Sequence, residues 1–224
     1  MTQAQWSEVD RYFVERLAPE DEDLAATLEA NAAAKLPAID VAPNQGKFLQ
    51  ILAQMQGAQS ILEIGTLGGY STIWLARALP PGGRLVTLEV SAKHAKLAEA
   101  NIARAGLSGL VDIRQGSALD TLPKLEEEGC GPFDFFFIDA DKTNNSSYLA
   151  WALKLSRKGS TIVLDNVVRG GAVTDLESTD RSVVGTQKAI DWLANEPRVS
   201  ATAIQTVGSK GYDGFAIAIV TADP

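Results

Sequence analysis

The segment ILEIGTLGGYS, residues 61–71, decides how the rest of the chain folds. A short apolar run ends in a glycine-rich turn, and an apolar segment with helical spacing, residues 70–79, follows at once. A strand, a glycine turn and a helix in this order are typical of a nucleotide site in an α/β sheet. Gly65 permits a tight turn, and Gly68 and Gly69 are expected to let a ligand or a second backbone approach closely.

This turn departs from the dinucleotide-binding pattern. Its spacing, Gly-x-x-Gly-Gly from Gly65 onward, is not G-x-G-x-x-G. Glu63 stands inside the strand, where its negative charge suits a cationic ligand better than a pyrophosphate. Ser71 or Thr72 can hydrogen-bond near the start of the next helix, whose free N–H groups favour polar or anionic ligand atoms. The turn alone therefore leaves two interpretations open, a ligand site or a turn that only lets helix and strand pack.

Composition limits the class of protein and its partners. The 224 residues suffice for one α/β domain with a sizeable core, and 46% of them are hydrophobic. The net charge of −8 argues against nucleic acid or an anionic membrane surface as a partner. One cysteine and one histidine exclude a disulfide within the chain and metal sites built from thiolates or several histidines. Because there is no apolar leader and no run of the ~20 apolar residues that a membrane span needs, we expect a cytoplasmic protein.

Residues 1–57 are predicted to be helical. Apolar residues at helical spacing open the chain, an alanine-rich amphipathic helix is predicted over residues 22–35, and residues 37–43 are predicted to be a loop. Asn44 is expected to cap a third helix that ends near Gly57. We expect this segment to serve as a lid, a dimer surface or a packed flank of the domain.

From residue 60 onward, strand and helix patterns alternate. Strands are predicted over residues 60–65, 84–89, 111–115, 133–139 and 160–165, and helices over 70–79, 92–105, 118–127, 144–156 and 182–195. Repeated β-α-β units predict a parallel sheet with helices on both faces.

The last two strand patterns, residues 201–206 and 214–220, are too close for a crossover helix, so they predict an antiparallel hairpin. A mostly parallel sheet with an antiparallel C-terminal strand is the Rossmann-like class I methyltransferase layout. The chain is therefore predicted to be one α/β domain over residues 1–224, with its core in residues 58–224.

Glu89 closes the second predicted strand. It follows Gly65 at close to the ~20-residue spacing at which an acid accepts hydrogen bonds from both ribose hydroxyls of a nucleoside. The alternative is a solvated carboxylate at the end of a strand. The glycine turn upstream favours the ribose role.

Two more strands end in oxygen-bearing side chains. The segment FFFIDADK, residues 135–142, delivers Asp139, and the segment TIVLDN, residues 161–166, delivers Asp165 and Asn166. If these strands are neighbours, their axes lie ~4.8 Å apart and the three side chains converge. Two negative charges at such a short distance repel each other, which favours a cation between them. Two carboxylates and an amide oxygen are ligands that suit Mg²⁺, with Mn²⁺ or Ca²⁺ as alternatives. The competing interpretation is that the two acids only cap helices.

Taken together, these motifs resemble the cation-dependent class I S-adenosylmethionine O-methyltransferases of the catechol and caffeoyl-CoA type. The resemblance runs from about Pro37 to the C-terminus. It rests on LEIGT and GYS within residues 62–71, DADK at 139–142, DN at 165–166, and the late VG and DG pairs within 207–214.

The resemblance implies a site for S-adenosylmethionine. In it, Glu63 would face the methionine ammonium, Glu89 would hold the ribose and Ala118 would meet the adenine. Asp141 would lie beside the amino-acid end of the cofactor. The residues implied to line this site are Val41, Glu63, Gly65, Thr66, Ser71, Glu89, Ala118, Asp139 and Asp141.

The resemblance also implies the chemistry. Asp139, Asp165 and Asn166 would bind a divalent cation, Lys142 would be the catalytic base, and Asp139 would take part in catalysis. The implied reaction is metal-assisted methyl transfer to one hydroxyl of a vicinal diphenol, a small phenolic substrate, by an enzyme that forms a homodimer.

Two departures leave the acceptor open. Gln45 stands where plant relatives often have Glu, and residues 167–183 do not match the substrate loops of the plant caffeoyl-CoA enzymes. Two rival functions also remain at this point. One is an NAD-dependent oxidoreductase, because Glu89 at a strand end also fits NAD. The other is a catalytically silent S-adenosylmethionine-binding protein.

Overall fold

The computed structural model of the protein describes residues 2–223. Within these residues, seven strands form one sheet in the order β3-β2-β1-β4-β5-β7-β6. The strands are β1 Ser60–Ile64, β2 Arg84–Glu89, β3 Val111–Gln115, β4 Phe135–Ile138, β5 Thr161–Asp165, β6 Val199–Gly208 and β7 Gly211–Val220. The helices are α1 Gln3–Leu17, α2 Glu22–Ala33, α3 Pro43–Gln56, α4 Tyr70–Ala76, α5 Ala92–Arg104, α6 Ala118–Glu127, α7 Asn145–Lys154 and α8 Arg181–Asn195, with 3₁₀ turns at Lys142–Asn144 and Arg169–Thr174.

Strands β1 to β5 are parallel, as the alternating pattern predicted. The register places Ile138 of β4 opposite Leu164 of β5. Asp139 comes directly after Ile138 and Asp165 directly after Leu164, so both acids lie at the same edge of the sheet. This adjacency was the condition on which the predicted cation site depended.

The C-terminal hairpin is antiparallel and β7 pairs with β5 in the antiparallel sense, which confirms the class I methyltransferase layout. Both strands are longer than predicted. The last residue pair of the hairpin is Gly208 and Gly211, so the two strands are joined by the two-residue turn Ser209–Lys210.

The core lies on both faces of the sheet. In β4, Phe136 and Ile138 pack into one apolar cluster, while Phe135 and Phe137 pack into the other. Successive side chains of a strand point to opposite faces, so a strand covered on both sides must be apolar throughout. All four side chains are fully buried, which explains the continuous apolar run that marks this strand in the sequence.

Helix α1 packs beside the hairpin turn. The Asp10 carboxylate accepts hydrogen bonds from Ser209 N at 2.7 Å and from Asn44 Nδ2 at 3.0 Å. Asn44 was expected to cap α3, and this prediction was wrong. Ala42 is the N-cap residue and Pro43 is the first helical residue, a position for which the fixed φ of proline is suited.

Within residues 2–223, no helix combines the length and apolar character needed to cross a lipid bilayer.

Candidate active site

A cavity of about 710 Å³ opens at the carboxyl ends of the parallel strands. This edge is where α/β sheets bind their ligands. Of the residues to which the family resemblance gives a role, all but one line this cavity: Val41, Gly65, Thr66, Ser71, Glu89, Ala118, Asp139, Asp141, Lys142, Asp165 and Asn166. The fold therefore brings both the glycine turn and the acid pair to one place.

The glycine turn is built by close contacts within the protein. Gly65 has φ +102°, and a Cβ there would lie 2.2 Å from the carbonyl oxygen of Asp139. Only glycine fits this position, because the ends of β1 and β4 meet there. At Gly68 a Cβ would lie 1.9 Å from Oδ1 of Asn31 on α2. At Gly69 a Cβ would lie 3.4 Å from side-chain atoms of Ala98 and Ile102. The expectation that a ligand or a backbone approaches Gly68 and Gly69 was wrong, since side chains lie at both places.

Glu63 is the predicted residue that does not line the cavity, and it is fully buried beneath it. Its carboxylate accepts hydrogen bonds from the hydroxyls of Ser71 at 2.6 Å and Thr87 at 2.7 Å, and from that of Thr72. Burial raises the pKa of Glu63 to about 7, against the lowering effect of these three hydroxyls. Glu63 reaches the cavity through Ser71, and its contact with a methionine ammonium stays a prediction.

Glu89 is held in place by backbone donors. Its Oε2 accepts a hydrogen bond from Leu67 N at 2.9 Å and its Oε1 accepts one from Ser91 N at 2.8 Å. Nδ1 of His94, which also lines the cavity, lies 3.6 Å from Oε1. A carboxylate has about four lone-pair sites, so Glu89 keeps acceptor capacity for ligand hydroxyls.

The two acids at the strand ends, Asp139 and Asp165, both accept hydrogen bonds from neighbouring residues. Nζ of the buried Lys142 donates to Oδ1 of Asp139 at 2.7 Å. Asp165 accepts hydrogen bonds from Gln45 Nε2 at 2.7 Å and from the backbone N–H of Asn166 at 2.8 Å. Burial and the charge of Asp139 raise the pKa of Asp165 to about 7, while Lys142 acts in the opposite direction. Two carboxylates thus interact in a poorly solvated place.

The chemistry of these side chains fits a hard divalent cation. Across residues 2–223, no three His, Cys, Asp or Glu side chains are grouped as a metal site. The predicted set instead combines two carboxylates with the amide oxygen of Asn166. Oxygen donors of this kind suit Mg²⁺, and a cation between Asp139 and Asp165 would offset the repulsion that raises the pKa of Asp165.

Asp141 is positioned by α7 and the turn that precedes it. It accepts hydrogen bonds from the Tyr148 hydroxyl and from Asn144 Nδ2, the latter at 2.7 Å. Burial and the contact with Asp141 raise the pKa of Tyr148, so its hydroxyl stays a donor. Sequence reasoning missed Tyr148, although its spacing from Asp141 across a helix start was a usable signal.

Asp213 organises the turn after β5. Its Oδ1 accepts hydrogen bonds from the backbone N–H groups of Val168, Arg169 and Gly214, each with an N–O distance of 3.0 Å. The sequence marked the Asp213-Gly214 pair as part of a motif without assigning it a role. In the structure this carboxylate ties β7 to the loop that follows Asn166, where Asn166 itself has φ +57°.

The mixed seven-stranded sheet and the cavity across its carboxyl ends define a class I methyltransferase. The family model described as O-methyltransferase matches residues 15–217. The catechol O-methyltransferase of Niastella koreensis is 55% identical over 212 residues, which are 95% of this chain and 96% of that protein.

Two solved structures are also similar to this chain. The O-methyltransferase from Bacillus cereus in complex with SAH has a TM-score of 0.97 and 59% sequence identity, covering 98% of this chain and 100% of that one. The O-methyltransferase TomG from Streptomyces achromogenes in complex with SAM has a TM-score of 0.96 and 50% sequence identity, and the match covers 99% of this chain and 100% of that one.

This chain belongs to the O-methyltransferase family and is an O-methyltransferase. The NAD-dependent oxidoreductase, which Glu89 alone allowed, is thereby set aside.

Proposed function

We propose that this enzyme transfers the methyl group of S-adenosylmethionine to one hydroxyl of a vicinal diphenol, with a divalent cation held by Asp139, Asp165 and Asn166. The observation that carries the proposal is that these three side chains line the same cavity as Glu89 and the glycine turn. The catechol methyltransferase and the two cofactor complexes named above support it.

For the cofactor, we propose the division of labour that the resemblance implies. Glu89 accepts hydrogen bonds from the ribose, and Ala118 lies against the adenine. Asp141 and the Glu63–Ser71 pair receive the amino-acid end. Val41, Gly65 and Thr66 complete the wall of the site.

For the acceptor, Lys142 acts in its neutral amine form: Nζ takes the proton from the reacting hydroxyl and becomes an ammonium that pairs with Asp139. The proton must leave because a neutral phenol, with a pKa of ~10, is a poor nucleophile near neutral pH. A bound divalent cation supplies positive charge that stabilises the phenolate. The walls of the cavity align the oxygen with the methyl group, so that a C–O bond forms as the C–S bond of the cofactor breaks.

A test compares 3,4-dihydroxybenzamide with 4-hydroxybenzamide as acceptors for the purified enzyme and S-adenosylmethionine. We expect only the diol to be methylated, and only with Mg²⁺ present rather than EDTA. Asp165→Asn should lose this activity, and Asp112→Asn, a change of an exposed surface carboxylate, should keep it.

Two outcomes count against the proposal. Full methylation in EDTA by both the wild type and Asp165→Asn would remove the cation from the reaction. Binding of S-adenosylmethionine without methylation of any vicinal diphenol would favour the catalytically silent binding protein.

We also propose that the chain is one domain that forms a homodimer through a surface to which the first 57 residues contribute. Helix α1 packs beside α3 and β6, and this region exposes large apolar side chains. The exposed residues on α1 and β6 are Val9, Tyr12, Phe13, Leu17, Ile204 and Val207. Contiguous exposed apolar patches mark interaction sites. A cytoplasmic location stays a prediction from the sequence.

Sedimentation measurements test the dimer. We expect a dimeric wild type and a monomeric Phe13→Asp variant, whereas Leu176→Asp, which changes an exposed side chain outside this surface, should remain dimeric. A monomeric wild type would refute the dimer.

A further inference from the structure

We infer that Arg169 binds a carboxylate on the acceptor, so that the preferred substrates are vicinal diphenols that carry a carboxylic acid. This inference rests on the proposed function and specifies the substrate class of the same cavity. It concerns a residue to which neither the sequence motifs nor the family resemblance gives a role.

Arg169 is held at the cavity by an unusual backbone. It lies in the loop after β5, three positions beyond Asn166, and lines the cavity. Its φ is +56°, a left-handed conformation that is uncommon for residues other than glycine. The backbone N–H of Arg169 donates to Oδ1 of Asp213 at 3.0 Å, which keeps the residue in this conformation. Strained backbone of this kind is concentrated at functional sites.

The guanidinium of Arg169 has donors to spare. Its Nε is buried and has no acceptor among residues 2–223. Nη1 lies 3.8 Å from Oδ2 of Asp213, which is an ion-pair distance but too long for a hydrogen bond. The side chain keeps 30% of its surface exposed. Since the exposed guanidinium nitrogens make no hydrogen bond within residues 2–223, an anionic acceptor in the cavity gains charge-assisted hydrogen bonds there.

The other two cationic side chains of the cavity, Lys142 and Lys210, each donate to an oxygen of the protein. Lys142 is bonded to Asp139 at 2.7 Å, and Nζ of Lys210 lies 3.4 Å from the carbonyl oxygen of Ala38. The remaining charged side chains of the lining are acidic: Asp40, Glu89, Asp139, Asp141, Asp165 and Asp213. An acid-rich cavity disfavours an anionic acceptor unless a cation meets its charge, and Arg169 is the cation of this lining whose side chain makes no hydrogen bond within residues 2–223.

A carboxylate matches this group better than other anions of the same charge. Arginine presents parallel N–H groups in a planar fork that fits the two oxygens of a carboxylate. Nε of Arg169 is buried, so a carboxylate in the cavity meets the exposed part of the fork, Nη1 and Nη2, which make no hydrogen bond within residues 2–223. We therefore place the diol of the substrate toward Asp165 and Asn166, and its carboxylate toward Arg169.

The test uses a matched pair of acceptors, 3,4-dihydroxybenzoate and 3,4-dihydroxybenzamide, which differ in charge and hardly in shape. The measured quantity is the ratio of kcat/KM for the acid to kcat/KM for the amide. We expect the wild type to favour the acid by ~10-fold or more, as is typical of one charge-assisted hydrogen-bonded contact. Arg169→Gln should bring the ratio close to one, and Arg169→Lys should retain part of it.

Arg181→Gln, which removes an exposed arginine outside the cavity, serves as the control and should keep the wild-type ratio. A wild-type ratio near one overturns the inference without any variant. The inference is also overturned if Arg169→Gln has the same acid-to-amide ratio as the wild type. It is overturned as well if Lys210→Gln, and not Arg169→Gln, abolishes the preference for the acid. If neither acceptor is methylated, the proposed function itself fails and this inference falls with it, whereas methylation of both at equal efficiency rejects only the role of Arg169.

Discussion

Gly185 of α8 lies directly against the backbone of Lys142. A Cβ at Gly185 would lie 2.3 Å from the carbonyl oxygen of Lys142 and 2.7 Å from Cα of Thr143. Helix α8 therefore packs without any intervening side chain on the turn that carries the proposed base. The position of Lys142 Nζ, 2.7 Å from Asp139 Oδ1, depends on this packing.

We expect Gly185→Ala to push the Lys142 turn away from α8 and to lower kcat by ~10-fold or more, because misplacement by about 1 Å can cost ~100-fold. Steady-state kinetics on a diphenol measure this. Gly109→Ala, at a position where a Cβ meets nothing within 4 Å, should leave kcat unchanged. Equal activity of the two variants would show that the contact with α8 does not position Lys142.

Replacing Gly65 should be more harmful than replacing another glycine with positive φ. Gly65 and Gly82 have φ of +102° and +83°, but only at Gly65 would a Cβ meet a backbone oxygen, at 2.2 Å. We expect Gly82→Ala to cost ~1 kcal/mol of folding free energy and Gly65→Ala ~3 kcal/mol or more, since the latter adds overpacking to backbone strain. Urea unfolding measures both. Similar losses would mean that β1 and β4 separate easily at this edge.

Glu89→Gln should weaken binding of S-adenosylmethionine by ~10-fold, because a neutral amide is a poorer acceptor for ribose hydroxyls than a carboxylate. Calorimetry of the variant against the wild type gives the Kd. Glu99→Gln, which alters an exposed carboxylate on α5, is the control and should bind as the wild type does. An unchanged Kd for Glu89→Gln would remove the ribose role.

The buried carboxyl of Glu63 predicts a pH-dependent stability of the ligand-free protein. Its pKa is raised from 4.5 to about 7, mainly by burial. Between these values the unfolded chain has released the proton and the folded chain still holds it. The free energy of unfolding should therefore fall as pH rises through this window, by at most ~1.4 kcal/mol per pH unit. The stabilising contribution is complete below the lower value and is lost above the upper one.

Glu63→Gln cannot titrate, so the variant should lack this part of the slope. Urea unfolding at several pH values across the window compares it with the wild type. Identical slopes for the two proteins would show that Glu63 keeps an ordinary pKa in the fold.

The sheet and most of the site were predictable because they depend on local patterns. A strand buried on both faces must be apolar throughout, so the run before Asp139 was unmistakable. The carboxyl ends of parallel strands share one edge, so the order of elements was enough to bring Asp139, Asp165 and Glu89 to one cavity.

The features that escaped prediction depend on contacts between distant residues. The space at Gly68 is filled by Asn31, which belongs to a helix far away in the sequence. Strand β6 is exposed along most of its length and its alternation of apolar and polar residues breaks at Ile204, so its extension to the turn at Ser209 was not visible. The left-handed backbone of Arg169 follows from its bond to Asp213, which no local pattern reveals.

Titration of Mn²⁺ into the cation-free enzyme, followed by calorimetry in the presence of S-adenosylhomocysteine, measures whether Asp139, Asp165 and Asn166 bind a divalent cation. We expect one ion bound per chain in the wild type and in Asp112→Asn. We expect this binding to be lost in Asp139→Asn, Asp165→Asn and Asn166→Ala, with folding verified by circular dichroism. Binding of equal strength in all five proteins would show that these three side chains do not hold the cation.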